Sequence, residues 1–175
     1  MKNYDFASKF HSHYDQAVAR FADGKRGADG FFNADELAFL AENGITAQHL
    51  YDYAEDHNNY DEPGFDIALG IELVRRDYFV NVQGRRPSTT KLDETKLPSK
   101  TDSVRGIAWL PRLLPKAKAK LRGELPPSLM FCCGGDRAFF KQHDIQPAEF
   151  LGVLWRSNGD DAVVIDWVSS RTAGK

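Results

Sequence analysis

FASKFHSHYDQAVARF, residues 6–21, decides the fold class. Phe6, Phe10, Tyr14, Ala17, Val18 and Phe21 recur every three or four positions, the spacing that lays one apolar stripe along a helix. Gly24 and Gly27 predict its end. Asn33 followed by Glu36 is a capping-box pattern, and it opens a short helix through Leu40 that Gly44 closes. Thr46 caps a third helix holding Leu50, Tyr53 and Ala54. The loop NNYDEPG breaks it, and a long helix is predicted from about Phe65 to Val82. There Phe65, Leu69, Leu73 and Val80 mark one apolar line, and Ile67, Ile71, Val74 and Tyr78 another. Two lines predict burial on more than one side, hence a central helix. Glu72, Arg75 and Arg76 stand at pairing distance along it.

GRRPSTTKLDETKLPSKTDS, residues 84–103, holds only Leu92 and Leu97 as large apolar residues and reads as a polar linker. It divides the chain into an N-terminal module, 1–83, and a C-terminal module, 104–175. In the latter, Ile107, Leu110, Leu114, Ala117 and Leu121 predict an amphipathic helix. Its start is set near Pro115, or the helix kinks there. Lys116, Lys118, Lys120 and Arg122 decorate it. SLMFCC, residues 128–133, suggests a short extended segment. Asp136 is expected to cap a helix running to His143. Gln146, Pro147 and Glu149 open another that carries Phe150, Leu151, Leu154 and Trp155, and a last helix runs from about Asp160 to Ser170.

At an offset of 100 residues the halves align without a gap. Ala17, Ala19, Phe31, Ala38, Phe39 and Ile45 recur as Ala117, Ala119, Phe131, Ala138, Phe139 and Ile145. Ordinary residue frequencies would give roughly two or three such identities over the 40 positions 14–53. Burial selects similar residues in any two helix pairs, but a fixed register points to duplication. The expected architecture is mainly α: two related small helical bundles packed together.

Composition excludes other classes. Of 175 residues, 42% are apolar and 27% charged, which removes a wholly disordered or fibrous chain. No apolar run approaches the ~18 residues of a membrane span, and MKNYDFASKF is no signal peptide. The only two cysteines are adjacent, so no disulfide framework exists, and a cytoplasmic location is expected. Charge is segregated: residues 1–70 carry 13 acids and 5 bases, residues 71–123 carry 13 bases and 5 acids. Facing surfaces within one fold or across a dimer account for this. A polyanion partner is the sharper reading, but the basic stretch lacks interleaved aromatics and any nucleic-acid motif. No membrane partner and no cofactor are expected.

Cys132-Cys133-Gly134-Gly135-Asp136-Arg137 is the candidate ligand loop. Consecutive glycines before a helix expose backbone N–H groups that attract anions, Arg137 adds charge, and a thiol there feels the positive helix end. Trp109 and Arg112 would complete the pocket. An Asp136 that only caps, beside two buried cysteines, would meet the same pattern. There is no P-loop, since the Lys and Ser/Thr after the glycines are missing. His49, Asp52, Asp56 and His57 form the metal candidate, with His49, Asp52 and Asp56 on one helix face. A solvated acidic face would look alike. A Cys133–His143 pairing needs the fold to bring the two together. Phe31, Phe32, Tyr51, Tyr60 and Trp155 are core or interface aromatics.

WLPR (Trp109–Arg112), Lys116-Ala117, Gly123, Cys133-Gly-Gly-Asp136, Phe140, Ile145 with Phe150, and Asp166-Trp167-Val168 form a further pattern. Over residues 104–170 it resembles the uncharacterised bacterial domain-of-unknown-function family numbered 5069. That family has Cys-Pro-Leu-Asp in the loop where this chain has two glycines, and a turn glycine where this chain has Asp144. The resemblance implies no activity. The expected function is therefore a binding or scaffold module, acting through protein contacts or a small anion. The alternatives are an enzyme or ligand sensor using the Cys132–Arg137 loop, and nucleic-acid binding by residues 71–123.

Overall fold

Local capping and glycine turns place most of the helices. The computed structural model describes residues 3–173, with side chains to Arg171. Among these lie eight α-helices and one two-stranded ladder, so the fold is mainly α. No helix among the described residues is long and apolar enough to cross a membrane. The chain divides into two units, Met1–Arg85 and Arg86–Lys175.

The first unit holds α1 (Phe6–Ala22), α2 (Ala34–Glu42), α3 (Ala47–Tyr60) and α4 (Phe65–Asn81). α1 packs against α3 and α4. Its stripe of Phe6, Phe10, Tyr14, Ala17 and Phe21 is buried. The capping box at α2 is complete: the Glu36 N–H donates to Asn33 Oδ1 at 2.9 Å, and the Asn33 N–H donates to the Glu36 carboxylate at 2.7 Å. Thr46 caps α3. Gly44 turns the chain after α2 at φ +71°, and a Cβ there would collide with the Phe79 ring. Phe31, Phe32 and Tyr51 are buried, with Phe31 edge-on to Tyr51, whereas Tyr60 is exposed.

α4 departs from its expected pattern. Its buried residues are Ala68, Ile71, Glu72, Arg75, Arg76 and Phe79, while Leu73 is exposed. Buried charges require hydrogen-bonding partners, and these have them. Tyr53 donates to Glu72 at 2.9 Å, Arg75 donates to Gln83 at 2.8 Å, and Arg76 donates to Asn43 at 2.6 Å and Asn3 at 2.7 Å.

The second unit holds β1 (Ser103–Val104) and β2 (Ile107–Ala108), an antiparallel pair, then α5 (Leu110–Arg122), α6 (Gly134–His143), α7 (Pro147–Arg156) and α8 (Asp161–Ala173). α5 packs on α7, and α8 touches α6 and α7. The stretch read as a linker is fastened to this unit. Leu92 N–H donates to the Glu124 carbonyl at 2.9 Å, Ser88 Oγ to the Glu124 carboxylate at 2.9 Å, and Lys91 Nζ to the Gly123 carbonyl at 3.3 Å. Residues 128–133 are not a strand: Pro126 and Pro127 start a turn, and Cys132 sits at φ +72°, off any extended geometry. α5 begins at Leu110 and carries Pro115 inside it. Cys133, not Asp136, is the N-cap of α6, which puts Asp136 at the third helical position.

Candidate functional site

Asp136 is the centre of the loop site. It is fully buried, on the first turn of α6, and three donors converge on it. Lys116 Nζ donates at 2.6 Å, the Trp109 indole Nε1–H at 2.9 Å, and the Cys132 backbone N–H at 2.9 Å. A buried carboxylate held by an ammonium and two N–H groups is satisfied in charge and in hydrogen bonds. Lys116 Nζ also lies 3.4 Å from Cys133 Sγ. Lys116 is itself 1% exposed, and the Asp136 carboxylate balances its charge.

Backbone placement explains the assembly. Trp109 precedes α5 with φ +71° and ψ −30°, an unusual conformation for a bulky residue, and this directs its indole onto the first turn of α6. Gly135 makes room for it, since a Cβ there would collide with the Trp109 ring. Gly134 is exposed. No side chain caps α6, so its opening N–H groups rely on solvent or a ligand.

The two cysteines differ. Cys132 is buried, and burial pushes its thiol up to about 12, with the nearby Asp136 carboxylate adding to the rise. Cys133 is half-buried, at the N-cap and beside Lys116. Both are free thiols. Arg137 donates inward to the Cys132 carbonyl at 2.9 Å and fixes that residue.

The structure thus brings together Trp109, Cys132, Cys133, Gly134, Gly135, Asp136 and Arg137. It adds Lys116, which sequence reading left as surface decoration. The signal was its position three residues after Leu113 and one before Ala117, on the side of α5 that is buried. Arg112 is the exception, because its guanidinium donates to the Pro98 carbonyl at 2.8 Å. His143 stacks against Phe139 at the opposite end of α6, a helix length of ~15 Å from Cys133.

The metal candidate does not assemble. Among the described residues no three His, Cys, Asp or Glu side chains are placed to hold a metal ion. His49, Asp52, Asp56 and His57 share α3, but Asp52 accepts from Gln48 at 2.7 Å, and His57 Nδ1 lies 3.4 Å from Tyr14 Oη. The basic stretch 71–123 is partly buried and partly paired. Arg75, Arg76, Lys116 and Lys120 are buried, and Lys96, Arg105, Lys118 and Arg122 pair with Asp93, Asp166, Asp161 and Glu124.

No protein-family model, curated protein or solved structure matches the chain.

Proposed function

We propose that the second unit is a binding module for a small anion of the carboxylate or phosphate class, taken at the open first turn of α6. One observation carries this reading: α6 starts at an exposed Gly134 with no side-chain cap. Helix N–H groups and the helix dipole favour negative charge at that point. Trp109 and Arg137 hold the loop in shape. The anion is free or is a group on a protein partner. Kinship of residues 104–170 with the uncharacterised family belongs to the same proposal and adds no catalytic role. Phosphate titration followed by backbone amide shifts tests it. The Gly134, Gly135 and Asp136 amides are expected to move together, and Cys133→Asn to block the movement with its own side chain. Amides that stay still at every tolerated phosphate concentration overturn the proposal.

A second reading, thiol chemistry at Cys133, is favoured by the 3.4 Å contact with Lys116. A thiol-reactive probe near neutral pH is then expected to label Cys133 rapidly, and Cys132 only after unfolding. Equal labelling of both in the folded chain contradicts it.

Nucleic-acid binding loses its support, because the basic excess is largely buried or paired.

A further inference from the structure

We infer that residues 14–53 and 114–153 of the two units are copies of one three-helix module in a fixed 100-residue register, outside which the fourth helices, from Phe65 and Asp161, fall, and that position 33 or 133 decides how the second helix of each copy is opened. This inference does not rest on the ligand. α1 and α5 end at Ala22 and Arg122, α2 and α6 begin at Ala34 and Gly134, and α3 and α7 begin at Ala47 and Pro147. The bonds that open and close the second helix agree, although those inside the preceding loops do not. The Leu37 N–H donates to the Asn33 carbonyl at 3.0 Å, and the Arg137 N–H to the Cys133 carbonyl at 2.9 Å. The Ile45 N–H donates to the Leu40 carbonyl at 2.9 Å, and the Ile145 N–H to the Phe140 carbonyl at 3.0 Å. Gly44 and Asp144 both take positive φ, +71° and +54°.

Burial follows the same register. Phe31 and Phe131, Leu40 and Phe140, Asn43 and His143, and Ile45 and Ile145 are all buried. So are Glu36 and Asp136, each an acid at the third position of its helix; their bases differ in register, since Lys116 stands one turn before Lys120, the counterpart of Arg20. Burial alone explains similar residue types. It does not explain equal spacing across the loops 23–33 and 123–133, because surface-loop length is only weakly constrained by stability. Common descent explains both.

At the N-cap of the second helix the two segments part. Asn33 and Cys133 have nearly the same backbone, φ −81° and ψ 175° against φ −65° and ψ 173°. The Asn33 side chain accepts from the Glu36 N–H. A thiol is a weak acceptor, and Cys133 makes no cap bond. A carboxamide at position 133 therefore has the right backbone to close α6 as Asn33 closes α2.

Reciprocal substitutions in the full chain test this. Cys133→Asn is expected to raise the melting temperature by roughly 2–4 °C, and Asn33→Cys to lower it by a similar amount. A crystal structure of the Cys133→Asn chain is expected to show the new side chain accepting from the Asp136 N–H. If that variant does not fold, Cys133→Ser makes the same test with a side chain close in size to cysteine. A folded capping variant with an unchanged or lower melting temperature, or a carboxamide turned away from Asp136, overturns the inference. Phosphate titration of the unsubstituted chain reads the ligand proposal separately, since the matched modules stand whether or not those amides move.

Discussion

Glu36 in the first unit and Asp136 in the second stand at the same helical position, yet their bases, Arg20 and Lys116, lie one helical turn apart in the 100-residue register and the two pairs are built differently. Glu36 is long enough to serve two purposes. It takes both terminal nitrogens of Arg20, at 2.9 and 3.2 Å, and still accepts from the Asn33 N–H. Arg20 donates onward to the Phe31 carbonyl at 2.9 Å and keeps a quarter of its side chain in solvent. Asp136 is one methylene shorter, and its pair is shut away at 1% and 0% exposure. The first unit closes its helix start with its own side chains. The second leaves the helix start open and sets an ammonium and a thiol beside it. The contrast between the two helix starts marks the place to look for chemistry.

The largest expected effect separates the two pairs. Asp136→Asn strands the buried Lys116 charge and is expected to cost about 3–5 kcal/mol of unfolding free energy. Glu36→Gln leaves Arg20 with solvent and the Phe31 carbonyl, and about 1–2 kcal/mol is expected. Denaturant melts of both variants give the comparison, and an equal or reversed order breaks it. Lys116→Met sharpens it by reading the converse cost, that of a buried carboxylate left with two N–H donors.

Next comes the contrast between neighbouring glycines. Gly135→Ala is expected to cost about 1–3 kcal/mol by driving a methyl group into the Trp109 ring. Gly134→Ala meets nothing nearer than Arg137 at 3.8 Å, and its effect on melting temperature is expected to be much smaller. Matched losses at the two positions would show that Trp109 does not lie on the first turn of α6.

The smallest effects are in pH. Burial pulls the Glu36 carboxyl up, but hydrogen bonds from Arg20 and the Asn33 backbone outweigh it and hold the group below its ordinary value. The folded state therefore binds this proton less readily than the unfolded state. The resulting stability is present above the ordinary carboxyl range and is lost as pH falls through the lowered folded value. Burial also holds His13 below its ordinary value. The unfolded chain takes up that proton first, so stability declines as pH falls below about 6.5 and levels off once the folded state is protonated too. Thermal melts across pH are expected to show a shallow step removed by His13→Phe and a lower one reduced by Arg20→Gln. Persistence of both in the variants assigns them to other groups.

What was legible in the sequence was what is decided locally. Asn33 with Glu36, Thr46, and Gln146 before Pro147 act within one turn, and each opens a helix where the pattern placed it. The Cys132–Arg137 loop was legible for the same reason. Long-range pairings were not. Lys116 lies 20 residues from Asp136, and although Leu113 and Ala117 put it on the buried side of α5, nothing local names its partner. Arg112 was misdirected because its partner is a backbone carbonyl, which carries no residue-type signal. Residues 128–133 had an apolar run, but the preceding prolines and the positive φ of Cys132 overrode it. In α4, hydrophobic spacing was misleading because Glu72, Arg75 and Arg76 take buried places that polar partners make tolerable.

The stitching of residues 88–92 onto the end of α5 has a practical consequence for anyone who would shorten the chain. A truncation that starts at residue 104, where composition turns globular again, strips the Glu124 carboxylate of Ser88 and the Gly123 carbonyl of Lys91. It also removes Pro98, the acceptor that holds Arg112. The cut that respects these attachments falls between Arg85 and Arg86. A recombinant fragment beginning there keeps its own strap.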